Sequence, residues 1–217
     1  MSSATLYRWS GIVLFVGSLV GVVGSVLDTI SPSETAQQIV SGPFLIDAAL
    51  FLIWSLLIVM GLPGLYLRQA TRAGALGFAG YIVLSLGLLL GGVGFAIVQV
   101  TMFPYLAQKA PKLLPMGGTG PDAGFLLWIL LPVLGFAIGN VLLGISTLRA
   151  AVFPRGAGVL LILAGLLYLL SIAPVPFFTL ASNGVFFVAA AWCGSLLLRP
   201  EQEHSELSAG AAIQTSR

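Results

Sequence analysis

Charge is what this chain has least of. Only 7% of its 217 residues are charged, whereas a water-soluble surface needs roughly a quarter. Water is therefore excluded as the solvent for most of the chain. Cysteine occurs once, as Cys193, and histidine once, as His204. These scarcities exclude disulfides within the chain and cysteine-based zinc sites, and a single histidine in an acidic tail cannot ligate a haem inside a membrane. The nine basic residues are dispersed, so no run exists that could follow a phosphate backbone, and nucleic acid is not an expected partner. No cofactor is expected.

What the chain has instead is apolar sequence, 58% of the total. A bilayer core about 30 Å thick takes roughly 20 apolar residues per helical crossing. Charge-depleted runs over 9–27, 44–67, 75–100, 125–148, 157–172 and 179–198 read as six such spans. The runs are apolar on every face, unlike the alternating ten-residue segments of a membrane barrel. The expected fold class is all-α: a polytopic membrane helix bundle of six transmembrane helices over residues 1–199, with a disordered cytoplasmic tail over 200–217. The run from Gly11 to Leu27 after Arg8 is too long for a signal h-region and has no Ala-x-Ala-like site, so it reads as the first span.

The arginines set the orientation. Arg8 precedes the first span, Arg68 and Arg72 lie between the second and third, Arg149 and Arg155 between the fourth and fifth, and Arg199 follows the sixth. All fall on one side, which the positive-inside rule assigns to the cytoplasm together with both termini. The opposite side holds Asp28, Glu34, Asp47 and Asp122 against Lys109 and Lys112. Tyr7, Trp9 and Tyr66 at inner ends and Tyr105 and Trp128 toward outer ends match aromatic belts.

The connections on the arginine side are short, so the helices they join are expected to be antiparallel neighbours. Two outer connections are longer. In the first, Ser31-Pro32-Ser33-Glu34 reads as a helix start, with a serine N-cap, proline at the first helical position and a glutamate to close a capping box. The face shared by Ala36, Ile39 and Val40 suggests a short helix at the outer interface. The second, from Thr101 to Gly124, contains four prolines and Gly117-Gly118-Thr119-Gly120 and reads as irregular. Its Tyr105, Leu106, Leu113 and Leu114 suit a membrane surface, and Lys109 and Lys112 suit lipid phosphates. The glycines lack the lysine and preceding strand of a phosphate loop.

Helices in lipid associate where small residues let backbones approach. Gly17 and Gly21, Gly87 and Gly91, and Gly135 and Gly139 form three GxxxG pairs, read as packing seams inside the bundle. A homo-oligomer or a membrane-protein partner is the alternative use, and membrane lipid is the expected surrounding partner.

Polar groups at membrane depth are the candidates for function. Asn140 is the deepest, eight residues after Pro132, and is read either as a ligand or ion contact or as an interhelical hydrogen bond. Gln99 and Asn183 lie nearer the outer ends. Asp28 closes the first span and Asp47 opens the second, which puts both at the outer level. Together they read as a cation or proton site at an outward-opening vestibule, or as helix-end chemistry, with Asp47 favourable at a helix N-terminus. Ser55, Ser85 and Ser171 have no histidine or lysine at membrane depth to activate them.

The stretch Gly61-Leu62-Pro63-Gly64-Leu65-Tyr66-Leu67-Arg68-Gln69-Ala70, followed by Arg72-Ala73-Gly74 and later by Val152-Phe153-Pro154-Arg155, resembles a group of uncharacterised bacterial six-span integral membrane proteins. The resemblance implies a bacterial inner-membrane location and no known activity. Members of that group often carry histidine near the positions held here by Asp28 and Asp47.

Three functions are compatible with these residues. A non-enzymatic accessory subunit or a binder of lipid or an apolar small molecule needs no reactive pair. A transporter would line its path with Asn140, the Pro132 kink and the outer carboxylates. An intramembrane enzyme would use Asp28 and Asp47 as acid and base and requires them to converge.

Overall fold

The computed structural model describes residues 3–31, 35–114, 123–171 and 176–199. These residues are almost wholly helical and contain no strand. The helices are α1 (Ser3–Ile30), α2 (Ala36–Ile39), α3 (Gly42–Gly87), α4 (Phe95–Lys109), α5 (Ala123–Ala150), α6 (Arg155–Leu170) and α7 (Pro176–Leu197), with a π-helical segment Leu88–Gly94 joining α3 to α4 and a 3-10 turn at Pro111–Leu113. Four helical stretches, Ser3–Ile30, Gly42–Lys109, Leu127–Ala150 and Phe177–Leu197, are long and apolar enough to cross a membrane, and α6 is a shorter apolar helix. Their outward faces carry bare apolar side chains such as Leu19, Val23, Met60, Leu131 and Val188, the surface of a protein whose solvent is hydrocarbon.

α3 is not one rod. Gly74 has φ 59° and ψ −160°, a region that only glycine enters without strain, and there the helix folds back on itself. The stacked rings of Tyr66 and Tyr81 are 5.1 Å apart, although fifteen residues of straight helix would separate them by about 22 Å. Residues 42–73 and 75–87 are thus two arms of a hairpin. Pro63 sits within the first arm and is accommodated there.

The helices form a closed ring around one core. α1 packs on both the first arm of α3 and α7, α7 on α6, α6 on α5, and α5 on the second arm of α3. Glycines set the separations. A methyl group on Gly87 would stand 2.5 Å from the Phe136 amide nitrogen, and one on Gly139 would stand 2.4 Å from that of Leu84. Gly135 faces Gly87 across the same seam, and Gly91 faces Pro132. On α1, Gly17 meets Leu57 and Gly21 meets the Phe187 ring. A further close approach, absent from the expected pairs, joins Gly11 of α1 to Gly194 of α7, where an added methyl on Gly11 would lie 2.7 Å from the Gly194 carbonyl oxygen.

Two outer features depart from expectation. The short helix Ala36–Ile39 is capped by Thr35, whose hydroxyl accepts from the Gln38 amide while the Gln38 side chain accepts from the Thr35 amide; the start expected over Ser31-Pro32-Ser33-Glu34 falls on residues 32–34, outside the described residues. Thr35 and Gln38 have the same three-residue spacing as Ser31 and Glu34 and so compete for the same role. Ile39 is fully buried against Phe44, Phe103 and Leu114, so α2 lays its apolar face on its own chain, while Val40 points outward. The second departure is α4, which runs through Pro104 to Lys109 where an irregular loop was expected. A proline costs a helix one hydrogen bond and some bending, and here Phe103, Leu106 and Leu114 gain burial in the α2 cluster; Tyr105 and Leu113 remain exposed. Residues 32–34, the glycine stretch 117–120, Asp122, and the tail 200–217 with His204 lie outside the described residues.

The two ends of the bundle differ in chemistry. At one end Arg68 lies 5.3 Å above the Tyr7 ring and borders a recess shared with Phe153, Pro154 and Arg199. At the other end are Asp28, Asp47 and Gln99.

Candidate functional site

The acidic end is hollow. A cavity of about 290 Å³ opens among all the long helices and is lined by Asp28 and Ser25 of α1, Asp47 and Trp54 of α3, Gln99 of α4, Pro132 of α5, Tyr168 of α6 and Asn183 of α7. That volume is near the lower end of the range for small-molecule sites, roughly 300–1,000 Å³. Its floor is set by Trp54, Gly87, Leu88 and Phe136. Trp54, Gly87 and Phe136 each lie thirteen or fourteen residues from Arg68, Gly74 or Arg149 at the opposite end, about 20 Å by helical rise. Below the floor the bundle is packed: Leu14, Ile58 and Leu84 are fully buried, and Leu143 and Phe187 nearly so.

Aromatic rings join helix to helix around this cavity. Trp128 lies 5.5 Å from Phe95, Phe95 6.4 Å from Phe51, and Phe51 5.2 Å from Trp54. Trp54 then meets Phe187 edge-on at 5.1 Å, Phe187 contacts Phe186 at 5.8 Å, Phe186 meets Phe136 at 5.0 Å, and Phe136 reaches Tyr168 at 4.6 Å. The chain of rings leaves α5 at Trp128 and returns to it at Phe136. Six of its members, Phe51, Trp54, Phe95, Trp128, Phe136 and Tyr168, line the cavity.

The π-helical turn opens one wall. Leu88, Leu90, Gly91 and Gly92 all border the cavity, and a π turn carries its backbone wider than an α turn, a geometry common at binding sites. Gly92 lets this wall approach Ser55, since an added methyl would lie 2.9 Å from the Ser55 Cβ.

The sequence candidates divide sharply. Asp28, Asp47, Gln99 and Asn183 meet in the one cavity. Asp28 is exposed at the rim, Asp47 is 8% exposed, and their charges act on each other. The Gln99 Oε1 atom is buried with no hydrogen-bond partner among the described residues. Asn140 is elsewhere. It is fully buried beneath the floor, its Nδ2 donates to the Phe136 carbonyl one turn earlier at 2.9 Å, and its Oδ1 has no partner among the described residues. It is therefore neither a cavity residue nor an interhelical donor. A hydrogen bond between helices is instead made by Ser182, whose hydroxyl donates to the Ala164 carbonyl at 2.8 Å.

Sequence reasoning missed the aromatic lining and the π-helical wall. Trp54 was the available signal for the first, because a tryptophan far from either end of an apolar run is out of place in an interfacial belt. Gly91-Gly92-Val93-Gly94 was a weak one for the second. Among the described residues no group of three His, Cys, Asp or Glu stands close enough to hold a metal ion. No protein-family model, curated protein or solved structure matches the chain.

Proposed function

We propose that the chain is a six-span integral protein of the bacterial inner membrane, with both termini cytoplasmic, and that it is a non-enzymatic binder of a small apolar or lipid-derived molecule held in the outer half of the bundle. The fold-back at Gly74 supports two crossings by residues 42–109, and the sixteen residues of α6 reach about 24 Å, enough to cross with slight thinning of the bilayer. The gathering of Arg68 and Arg199 at one end supports its cytoplasmic assignment.

One observation carries the functional part. The cavity lining runs from Asp28, Asp47 and Gln99 at the acidic end to Trp54, Leu88 and Phe136, and beyond these Leu14, Ile58 and Leu84 are fully buried. A cup with a packed base receives a molecule from one side and conducts nothing in this state. The acid and base reading of Asp28 and Asp47 gains the convergence it requires, but no described lining residue is a histidine, lysine or arginine able to stabilise developing negative charge beside them.

A second reading, alternating access, is favoured by a separate observation. Asn140 Oδ1 and both polar atoms of Gln69 are buried in the packed half without partners among the described residues, at a cost of about 1–3 kcal/mol each. A second conformation that hydrates them would recover that cost.

The test is saturable binding of a neutral probe, 4-tert-butylbenzyl alcohol, to the detergent-solubilised protein by equilibrium dialysis, with tryptophan emission as a second readout because Trp54 and Trp128 line the cavity. Binding is expected, and Val133→Trp, which fills the cup from α5, is expected to remove it. A probe that fails to saturate, or that binds the filled variant equally well, contradicts the proposal.

A further inference from the structure

We propose that the cup selects an organic monocation: a quaternary or protonated amine bearing an aromatic or short branched apolar body. This rests on the cup being a binding site and adds the charge of its occupant.

Asp47 carries the argument furthest. Its side chain is more than nine-tenths buried, lines the cavity, and makes no hydrogen bond or ion pair with any described residue. An ionised carboxylate open to the cavity is stabilised by cavity water or by a positive partner, and the described lining supplies no positive group, since it contains no lysine, arginine or histidine. The missing cation is therefore the ligand's to bring. Gln99 Oε1, buried and equally without a partner, adds a second acceptor from α4. The Asp47 carboxylate accepts only, so a ligand anion placed beside it would meet repulsion.

The walls decide which kind of cation. Calcium takes six to eight oxygen ligands and magnesium near-ideal octahedral geometry, whereas this lining spreads two carboxylates, one glutamine, one asparagine and the hydroxyls of Ser25 and Thr179 over four helices among six aromatic rings. Aromatic faces attract weakly hydrated organic cations within about 6 Å of the ring centre, most strongly when water is excluded. Trp54 and Phe51 stand at the same cavity as Asp47 and within two turns of it on one helix, so charge and ring surface are offered together. Asp28 at the exposed rim adds negative potential at the mouth, where it raises the local concentration of cations.

The decisive experiment compares three probes of nearly one shape and different charge, measured as free concentrations by equilibrium dialysis against the full chain in neutral detergent. They are 4-(trimethylammonio)benzyl alcohol, neutral 4-tert-butylbenzyl alcohol, and anionic 4-tert-butylbenzoate. The cation is expected to bind at least about tenfold tighter than the neutral isostere, and the anion weakest. Asp47→Asn is expected to erase the cation's advantage over the neutral probe, bringing the two affinities within about twofold of each other. Asp28→Asn, at the exposed rim where packing is not at stake, is expected to reduce that advantage about threefold. Equal binding of cation and neutral probe, or a preference that survives both substitutions, overturns the inference and leaves the cup standing as a binding site. Failure of all three probes to saturate overturns the cup itself.

Discussion

Gly87 and Phe136 touch backbone to backbone across the seam between α3 and α5, with a methyl on Gly87 destined to lie 2.5 Å from the Phe136 amide nitrogen. Backbone cannot step aside as a side chain can, so the seam tolerates no branching at this point. Gly87→Val is expected to destabilise the bundle by about 1–3 kcal/mol, read by unfolding in mixed micelles. It should also distort the cavity, because both residues border it. The matching control is Gly184 in α7, where an added methyl meets nothing within 4 Å. Gly184→Ala is expected to stabilise by about 0.5–1 kcal/mol through helix propensity alone.

The hairpin at Gly74 separates conformational strain from crowding. An added methyl there meets nothing within 4 Å, yet φ is 59°. Gly74→Ala is therefore expected to cost about 1–3 kcal/mol with no steric clash to relieve. Gly74→Asn, a residue that tolerates positive φ better, should cost less. Equal stability of wild type and the alanine variant would show that the chain reverses here by some other backbone route.

Asn140 gives a prediction that separates the two functional readings. Its oxygen is buried without a partner among the described residues and it does not border the cavity. Asn140→Leu removes an unsatisfied polar atom with the same number of side-chain heavy atoms but a larger volume, and is expected to leave probe binding unchanged. If the protein instead alternates between two states, the same substitution should abolish cellular uptake of the cationic probe while sparing its binding in detergent. Uptake and binding measured on one variant distinguish the cases.

The all-helical architecture was legible because continuous apolar runs admit few alternatives, and the break between the second and third runs was legible because Arg68 and Arg72 interrupt them. The extension of α4 through Pro104 was not, since local proline content argued for a loop while the stabilising partners, Ile39 and Phe44, come from a distant segment. The Thr35 cap was missed because Ser31 and Glu34 offer the same spacing one turn earlier. For the site, depth along each helix placed Asp28 and Asp47 at one level, and that survives as a shared cavity. Depth says nothing of rotation about the helix axis. Asn140 faces α6 near Gly165, Gln99 faces the cavity, and only the order of helices around the ring decides which. Apart from Phe51–Trp54 and Phe186–Phe187, each within one helix, the links of the aromatic chain from Trp128 to Tyr168 depend on that order, so no single segment announces it.

The proposed orientation turns the acidic, hollow end of the bundle outward and the arginine end toward the cytoplasm. The native Cys193 is fully buried, so introduced cysteines can be read against a low background. Thr29→Cys, exposed beside Asp28, and Arg72→Cys, exposed at the opposite end, should be treated with a membrane-impermeant maleimide in intact cells and again after lysis. Labelling at position 29 in intact cells, with position 72 labelled only after lysis, is the predicted result. The reverse pattern, or labelling of both positions in intact cells, would contradict it.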